Sequence, residues 1–481
     1  MRKKTAIKMS KCLDDISSGI EMIGNFKDNK YVVSKVERMF KENLAKLDSE
    51  MDDIGKEKVE ALKEAIKSVD ATETNQLISE IKEFISENIV YKVVFMPYKA
   101  SMWDSLESIW MAADKDERCE ALVVPITYYE LDNNQNPIKK VNERDLFPEY
   151  VNTVNDEEYD LENDLPDIIY IHNPYDDRNL VTRVESRYYS YNLKKYCEKL
   201  VYIPYYKWVD GVSSTNFRPG MYHADYAVQN SEDAVARYID SADEYAGILG
   251  SEVIEVKETL KRKVINLGSP EVDKVMSLSE ENTLLPESWK GKVLKSKVNV
   301  LYNTTLDEVL RSRNLDKIKE TLSFFKNNKE SAFLIWRPHP LMRQTLSSML
   351  PDLLKEYDEL IEEFCNGDYG IIDTNASMYY AMFWTDMCYG FNSSSLTELY
   401  RYTGKIVLQD FPRMAKITSD ISREDLLNKL KNTNVVKEPE CSLPDLVNAI
   451  SDNIELKVGK KLNLPNSGEK INDYIIDILQ K

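Results

Sequence analysis

The feature that most constrains the fold of this chain is a set of short apolar segments that stop abruptly at polar loops. The most informative one is Ala-Phe-Leu-Ile-Trp at 332–336, followed at once by Arg337-Pro338-His339-Pro340. An uninterrupted apolar run of this length is typical of a strand buried on both faces of a parallel sheet. The prolines predict that the strand ends at Trp336. Arg337 and His339 would then lie at its carboxyl end, where open α/β sheets bind ligands.

The same pattern recurs on both sides of this segment. Apolar segments at 298–302, 369–372 and 387–389 predict three more strands, and the segment from 378 to 384 predicts an apolar helix between the last two. Alternating strands and helices imply a parallel sheet with right-handed crossovers. This region therefore predicts half of a doubly wound domain, and Asn392 to Ser395 follow its last strand.

The serines after that strand have two compatible interpretations. Ser395-Leu-Thr-Glu398 fits a capping box, in which Ser395 accepts from an early helix amide and Glu398 reaches back. A helix start lined with hydroxyls is also an anion site, because free amides and the positive end of the helix dipole face outwards. Combined with Arg337 and His339, this arrangement favours a diphosphate ligand.

Two threonines follow the first strand of this half. Thr304 and Thr305 are either further phosphate ligands or helix caps. Asp307 and Glu308 in the first helical turn would repel a phosphate, which favours the capping role.

Residues 89–285 predict another sheet, whose strands end at tyrosine-rich loops. Its strands are predicted at 91–96, 121–125, 167–171, 200–203, 226–228 and 264–267. The loops carry Tyr98 with Lys99, His172, and Tyr205 with Tyr206. These side chains recur at the same end of successive strands, so they form either the floor of an acceptor pocket or simple surface packing.

Before residue 89 the periodicity is helical. Apolar residues mark one face in each of four segments, at 12–23, 33–54, 59–69 and 77–85. The spacing predicts a helical bundle or hairpin extension, and the alternative is a coiled coil that mediates dimerisation or docking.

Composition narrows the class of partner. The net charge of −19 argues against a nucleic-acid partner and against a broad anionic membrane footprint. The six cysteines contain no Cys-x-x-Cys pair, so neither a metal site nor a disulfide framework is expected. The basic start lacks the apolar region of a signal peptide, and no run is long enough to span a membrane. We therefore expect a cytoplasmic protein.

The expected organisation has four parts. They are a helical extension at 1–88, a Rossmann-like acceptor domain at 89–285, a Rossmann-like donor domain at 286–421, and C-terminal helices at 422–481 that pack back across the domains.

Several of these motifs resemble one known family. Gly268-Ser-Pro-Glu-Val-Asp273, Arg337-Pro-His-Pro340 and Asn392-Ser-Ser-Ser395 with Glu398 look like the CDP-glycerol glycerophosphotransferases, which include teichoic acid polymerases of GT-B fold. The resemblance covers about residues 90 to 415. It implies an α/β, GT-B-like pair of Rossmann-type domains that needs no cofactor.

The resemblance also implies an activity. The chain would move glycerol phosphate, or a related polyol phosphate, from a CDP-linked donor to a hydroxyl of a polyol or glycan acceptor during cell-surface polymer synthesis. Arg337, His339, Ser393, Ser394 and Ser395 would hold the diphosphate. Two alternatives remain open: a GT-B nucleotide-sugar glycosyltransferase or epimerase, and a non-catalytic GT-B scaffold. Peripheral contact with the inner face of the membrane, and oligomers formed through the N-terminal helices, are compatible with this interpretation.

The acceptor side departs from the family pattern. Its His-Gly-Thr-Pro motif, which carries a proposed base, is replaced here by Pro204-Tyr205-Tyr206-Lys207. His172 directly follows a strand and is the leading candidate for the base, because a histidine can accept a proton near neutral pH. Tyr205 and Tyr206 are the alternatives, and a tyrosine base would need a nearby cation.

Overall fold

The computed structural model describes residues 1–68, 71–132, 134–205, 217–293, 298–330, 332–375, 377–391, 394–410, 435–436 and 466–480. Ser393 and Tyr206, both predicted site residues, lie outside these ranges.

The chain begins with a four-helix bundle, which confirms the predicted helical extension. Its helices are α1 (Lys3–Asn25), α2 (Lys30–Glu50), α3 (Asp53–Ser68) and α4 (Ala71–Glu87). Sequential helices are antiparallel neighbours, and α4 packs back on α1. The apolar stripes meet in one core that includes Leu13, Ile16, Leu47, Leu62 and Ile81. Short loops and amphipathic faces of this kind favour an up-and-down bundle.

A six-stranded, wholly parallel sheet follows, as the alternating pattern predicted. Its strands are β1 (Tyr91–Met96), β2 (Cys119–Val123), β5 (Ile168–Ile171), β7 (Lys199–Tyr202), β8 (Tyr226–Gln229) and β9 (Val264–Asn266). They lie in the order β2-β1-β5-β7-β8-β9. Alternate residues of each strand pack on opposite faces, so that Val94 and Met96 lie in one core and Val93 and Phe95 in the other.

Helices cover both faces of this first sheet. They are α5 (Asp104–Lys115), α6 (Leu161–Asp164), α7 (Ser190–Leu193), α8 (Pro219–His223), α9 (Glu232–Asp240), α10 (Ala242–Leu249) and α11 (Val253–Lys263). Sheets buried on both faces need apolar strands, which explains why these strands were recognisable in the sequence.

A small antiparallel sheet was not predicted. It pairs β3 (Tyr128–Leu131) with β4 (Pro137–Val141) and β6 (Thr182–Val184) in the order β4-β3-β6. It interrupts the connections between strands of the first sheet and places Tyr128 beside the loop that follows β1.

A second parallel sheet lies in the following half of the chain. Its strands are β10 (Val298–Thr304), β11 (Ala332–Pro338), β12 (Gly370–Ile372), β13 (Met387–Phe391), β14 (Ile406–Asp410) and β15 (Val435–Val436). Their order is β12-β11-β10-β13-β14-β15. Counted along the chain this is the order 3-2-1-4-5-6 of dinucleotide-binding folds. The two sheets confirm the predicted pair of Rossmann-type domains.

Two local predictions about this half need correction. Strand β11 does not stop at Trp336, because Arg337 and Pro338 still pair in register with Asn303 and Thr304 of β10. The missing amide of Pro338 leaves that pairing intact. The tail from residue 422 was predicted to be helical, and Ser467–Gln480 is a helix, but Val435–Val436 form a parallel strand beside β14.

The helices of this second half complete both layers around the sheet. They are α13 (Leu306–Ser312), α14 (Asp316–Asn327), α15 (Met342–Met349), α16 (Pro351–Cys365), α17 (Tyr379–Trp384) and α18 (Ser395–Tyr400).

Helices α12 (Pro270–Met276) and α19 (Ser467–Gln480) join the two halves. Helix α12 contacts α5 of the first half and α18 of the second, and α19 packs on α5 and α12. Asp273 accepts from the amides of Ser467 and Gly468, at 3.0 and 2.8 Å, and from the Ser108 hydroxyl at 2.7 Å. Gly468 lies so close to the Ser108 carbonyl that any Cβ would clash there. No helix among the described residues combines the length and apolar character that a bilayer crossing requires.

Candidate active site between two parallel sheets

Each sheet reverses its direction of winding at one point, and both points carry polar side chains. In the first sheet the reversal lies between β1 and β5, and in the second it lies between β10 and β13. Ligands of doubly wound sheets bind outside the carboxyl ends of the strands at such a point. These two places therefore define the candidate site.

Arg337, near the carboxyl end of β11, is held by a buried carboxylate. Its Nη1 donates to Asp373 Oδ2 at 2.5 Å and to the Asn375 carbonyl at 3.0 Å. Only 14% of the arginine side chain is exposed and none of the aspartate side chain. Asp373 also accepts from the amide and side chain of Asn375 through Oδ1. The guanidinium is thus fixed in direction, and part of its charge is balanced before any ligand arrives.

His339 is half-buried just beyond the strand, and its tautomer is set by its neighbours. Its Nδ1 accepts the Leu341 amide at 3.1 Å, and its own amide donates to the Thr304 carbonyl at 3.0 Å. Burial lowers the pKa of this histidine. Near neutral pH the ring is therefore uncharged and carries its proton on Nε2, which makes it a hydrogen-bond donor.

Asn303 links the ends of three segments around the switch point. Its Nδ2 donates to the Arg337 carbonyl at 3.2 Å, and its Oδ1 accepts from the Ser394 hydroxyl at 2.5 Å. Gly390 of β13 lies so close to Asn303 and Thr397 that a side chain there would crowd both. Asn303 is 7% exposed, so this network is shielded from solvent.

The helix after β13 begins one residue earlier than predicted. Ser394 is the N-cap of α18, because its Oγ accepts the Thr397 amide at 3.3 Å. Ser395 is the first helical residue, and Glu398 pairs with Arg401 at 3.3 Å. The predicted capping box of Ser395 and Glu398 is therefore wrong. The N-cap lies at Ser394 and not at Ser395, because the Ser394 hydroxyl also donates a short hydrogen bond to Asn303.

The two threonines after β10 have different roles. Thr304 is fully buried, and its hydroxyl accepts from the Trp336 indole at 3.2 Å, so its side chain faces the core. Thr305 caps α13 by accepting the Glu308 amide at 3.3 Å. The capping alternative is thus confirmed for Thr305 and wrong for Thr304.

Lys99 lies at the carboxyl end of β1 between aromatic faces. Its Nζ is 5.7 Å from the ring centre of Tyr98 and 5.2 Å from that of Tyr128. Tyr98 is buried, and burial raises the pKa of its hydroxyl. Glu143 accepts from the Tyr128 hydroxyl at 2.6 Å and from the Ala100 amide at 2.8 Å. This corner presents a cation on an aromatic surface at the switch point of the first sheet.

His172 follows β5 as predicted, but its ring is fully buried. Nε2 accepts the Tyr98 amide at 3.1 Å, and Nδ1 lies 3.0 Å from Ser105 Oγ, whose proton goes to the Met102 carbonyl. Both ring nitrogens are thus engaged, and burial lowers the pKa of the ring to about 3. The assignment of His172 as a base is wrong for this conformation. The ring instead holds the turn that carries Lys99.

Tyr205 is also unsuited to be a base. Its hydroxyl lies 3.2 Å from that of Tyr175, and burial together with the neighbouring tyrosines raises its pKa well above the ordinary value. A tyrosine base needs the opposite shift.

Three residues of the site were not singled out from the sequence. Asn303 is the last residue but one of β10 and Asp373 directly follows β12, so both lie at the carboxyl end of a mostly apolar strand, which is a usable signal. Asp104 gave no such signal, because it lies in an ordinary first helical turn. Its carboxylate accepts a hydrogen bond from Tyr379 of the other half, so only the tertiary structure reveals it.

The fold and site define a class of protein: two Rossmann-type domains with polar residues at both switch points. No family model and no curated protein sequence matches the chain. Solved structures with similarity include UDP-GlcNAc 2-epimerase from Methanocaldococcus jannaschii, at 13% identity over 81% of this chain and 99% of that one, with a TM-score of 0.44. The wall teichoic acid polymerase TagF gives 12% identity, 88% and 97% coverage, and a TM-score of 0.39. Similarity at this level assigns neither a family nor an activity.

Proposed function

We propose that this chain transfers glycerol phosphate, or a related polyol phosphate, from a CDP-linked donor to an acceptor hydroxyl in cell-surface polymer synthesis. The observation that carries the proposal is the set of hydrogen-bond donors at the switch point of the second sheet. Arg337 and His339 lie where a 3-2-1-4-5-6 sheet binds a nucleotide, and Ser394, whose proton goes to Asn303, holds the start of the helix beside them. The resemblance of these motifs to the glycerophosphotransferases supports a CDP-linked donor over other nucleotide-linked donors.

In the proposed reaction, the acceptor hydroxyl oxygen attacks the phosphorus that bears the polyol. A new phosphoester bond forms, the bond from that phosphorus to the bridging diphosphate oxygen breaks, and CMP leaves. The acceptor proton passes to a base. Negative charge grows on the leaving CMP phosphate, so groups that stabilise it lower the barrier.

The residues of the second sheet can stabilise that charge. Arg337 is held in one direction by Asp373, and His339 offers an Nε2 proton beside it. Orientation of this kind matters because fixed donors need no rearrangement as charge develops. Lys99, on the first sheet, is suited to an anionic group of the reacting partners.

A titration with CDP and UDP tests the donor class. We expect CDP to bind with a dissociation constant at least about tenfold lower than that of UDP, a difference of about 1.4 kcal/mol. Release of CMP from CDP-glycerol in the presence of a polyol acceptor would then establish transfer. Tighter binding of UDP would instead support a nucleotide-sugar enzyme. Binding of CDP without CMP release would support a non-catalytic scaffold.

A further inference from the structure

A hydrogen bond across the domains connects the two halves of the candidate site. The hydroxyl of Tyr379, at the start of α17, donates to the Asp104 carboxylate at the start of α5. Tyr379 is buried, whereas Asp104 keeps part of its surface exposed. A hydroxyl buried at a domain interface rarely lacks a partner, and here its partner belongs to the opposite domain.

Each of these residues is linked to one half of the site. Asp104 follows the β1–α5 turn, which carries Lys99 and is held by His172. Tyr379 follows the loop that begins at Asp373, the residue that fixes Arg337. A displacement of one domain relative to the other must therefore change the distance between Lys99 and Arg337.

Helices α5 and α12, which pack around this contact, both carry charged groups near it. Helix α5 contributes Glu107, which accepts from Lys274 of α12 at 2.8 Å. Helix α12 also contributes the buried Glu271. Burial raises the pKa of Asp104 to about 6 and is the largest cause of the shift. The hydrogen bond from Tyr379 lowers this pKa, Glu107 raises it, and Lys274 lowers it.

We propose that Asp104 and Tyr379 are positioning residues that set the distance between the acceptor and donor halves during transfer. This inference rests on the proposed function for its catalytic consequence, but the contact itself does not depend on it. We call the pair the interdomain latch. Since misplacement by about 1 Å can reduce a rate about 100-fold, we expect loss of this contact to lower turnover.

The latch has a defined pH dependence. Separation of the domains exposes Asp104, and the pKa of an exposed aspartate is about 4. The packed arrangement, with a pKa of about 6, therefore binds the proton more tightly than the separated one. The extra stability of the packed arrangement is therefore fully present below about pH 4 and is lost as the pH rises through about 6.

The experiment measures the interdomain distance by double electron–electron resonance between two spin labels. One label is placed on Ile254→Cys, exposed on α11, and the other on the native exposed Cys365 of α16. Cys119, Cys197 and Cys441 are replaced by serine to prevent additional labelling. In the otherwise unchanged protein, we expect a narrower distance distribution at pH 5.5 than at pH 7.5.

One variant of each latch residue tests the role of that residue in the contact. Asp104→Asn keeps an acceptor without the charge, so its distribution should stay narrow at both pH values. Tyr379→Phe removes the donor, so its distribution should be broader than that of the parent at each pH. Asp114→Asn, exposed on the same helix, and Tyr380→Phe, the next residue of α17, are matched controls that should behave like the parent.

Measurements of kcat and of CDP affinity distinguish a failure of the latch from a failure of the proposed function. Tyr379→Phe should lower kcat about 10- to 100-fold while the dissociation constant of CDP changes less than about twofold. If the parent binds no CDP, the proposed function fails, and the distance measurement still decides on the latch. Identical, pH-independent distributions in the parent and in Tyr379→Phe would overturn the latch.

Discussion

At the residue scale, the most consequential feature is the pairing of Arg337 with Asp373. The sequence predicts Arg337 as a diphosphate ligand. In the structure, its guanidinium compensates a carboxylate whose side chain is completely buried. Removing one partner of such a pair leaves a buried charge and is strongly destabilising. Under the proposed function, stability and binding are thus combined in one side chain.

We therefore expect Arg337→Ala to lower the free energy of unfolding by about 3 to 5 kcal/mol, because Asp373 remains buried without its partner. Chemical denaturation measures this change. The double variant Arg337→Ala with Asp373→Asn should recover a substantial part of the loss. CDP titration of that double variant isolates the binding role, and a loss of about 1.5 to 3 kcal/mol in affinity is expected. Unchanged affinity would remove Arg337 from the proposed site.

The position of polar residues at strand ends was predictable, but their chemistry was not. His172 follows an apolar strand, as the sequence indicated. Its role depends on Tyr98 and Ser105, which are far from it in sequence and engage both ring nitrogens. Asp104 illustrates the same limit, because its partner Tyr379 comes from the other domain. Sequence patterns locate a site, whereas hydrogen-bond partners decide what each group does there.

At the scale of single elements, the cap of α18 gives a direct test. Ser394→Ala removes the capping oxygen and also the donor to the buried Asn303. We expect a loss of about 1 to 3 kcal/mol in the free energy of unfolding. Ser395→Ala, one residue on, should cost less, because alanine is well tolerated at the first helical position. Thermal unfolding of both variants makes the comparison. An equal loss would restore Ser395 as the cap.

The success of the strand predictions depended on burial. Strands of the two parallel sheets are covered on both faces, so their sequences are continuously apolar and were recognised. Strand β4 is largely exposed, and Pro137-Ile-Lys-Lys-Val141 shows neither a continuous run nor a clear alternation. The end of β11 was misplaced for another reason. Pairing with β10 holds Arg337 and Pro338 in the strand despite the proline signal.

At the scale of the whole molecule, the bundle lies away from the candidate site. It joins the first domain at the amino end of β1, where the Val90 amide donates to the Met1 carbonyl at 2.7 Å. Arg2 pairs with Asp164 at 3.0 Å and Lys3 with Glu198 at 2.8 Å. The site lies at the opposite, carboxyl end of the same strand. The bundle is thus placed to stabilise or to dock, and not to contact substrate.

This separation predicts that the bundle core affects stability alone. Ile16→Ala, at a fully buried position, should lower the free energy of unfolding by about 2 to 5 kcal/mol. Ile54→Ala, a matched change at a residue that is 62% exposed, should have little effect. CDP affinity should be unchanged in both variants. A weaker affinity in folded Ile16→Ala would show coupling between the bundle and the site.

The route of the chain between the domains has a mechanical consequence. It passes from the first to the second domain after α12, and it returns after β15 so that α19 packs on α5. A body tethered at one point can swivel in every direction, but a body tethered at two points retains chiefly a rotation about the line that joins them. The two crossings therefore restrict relative motion of the domains chiefly to rotation about one axis.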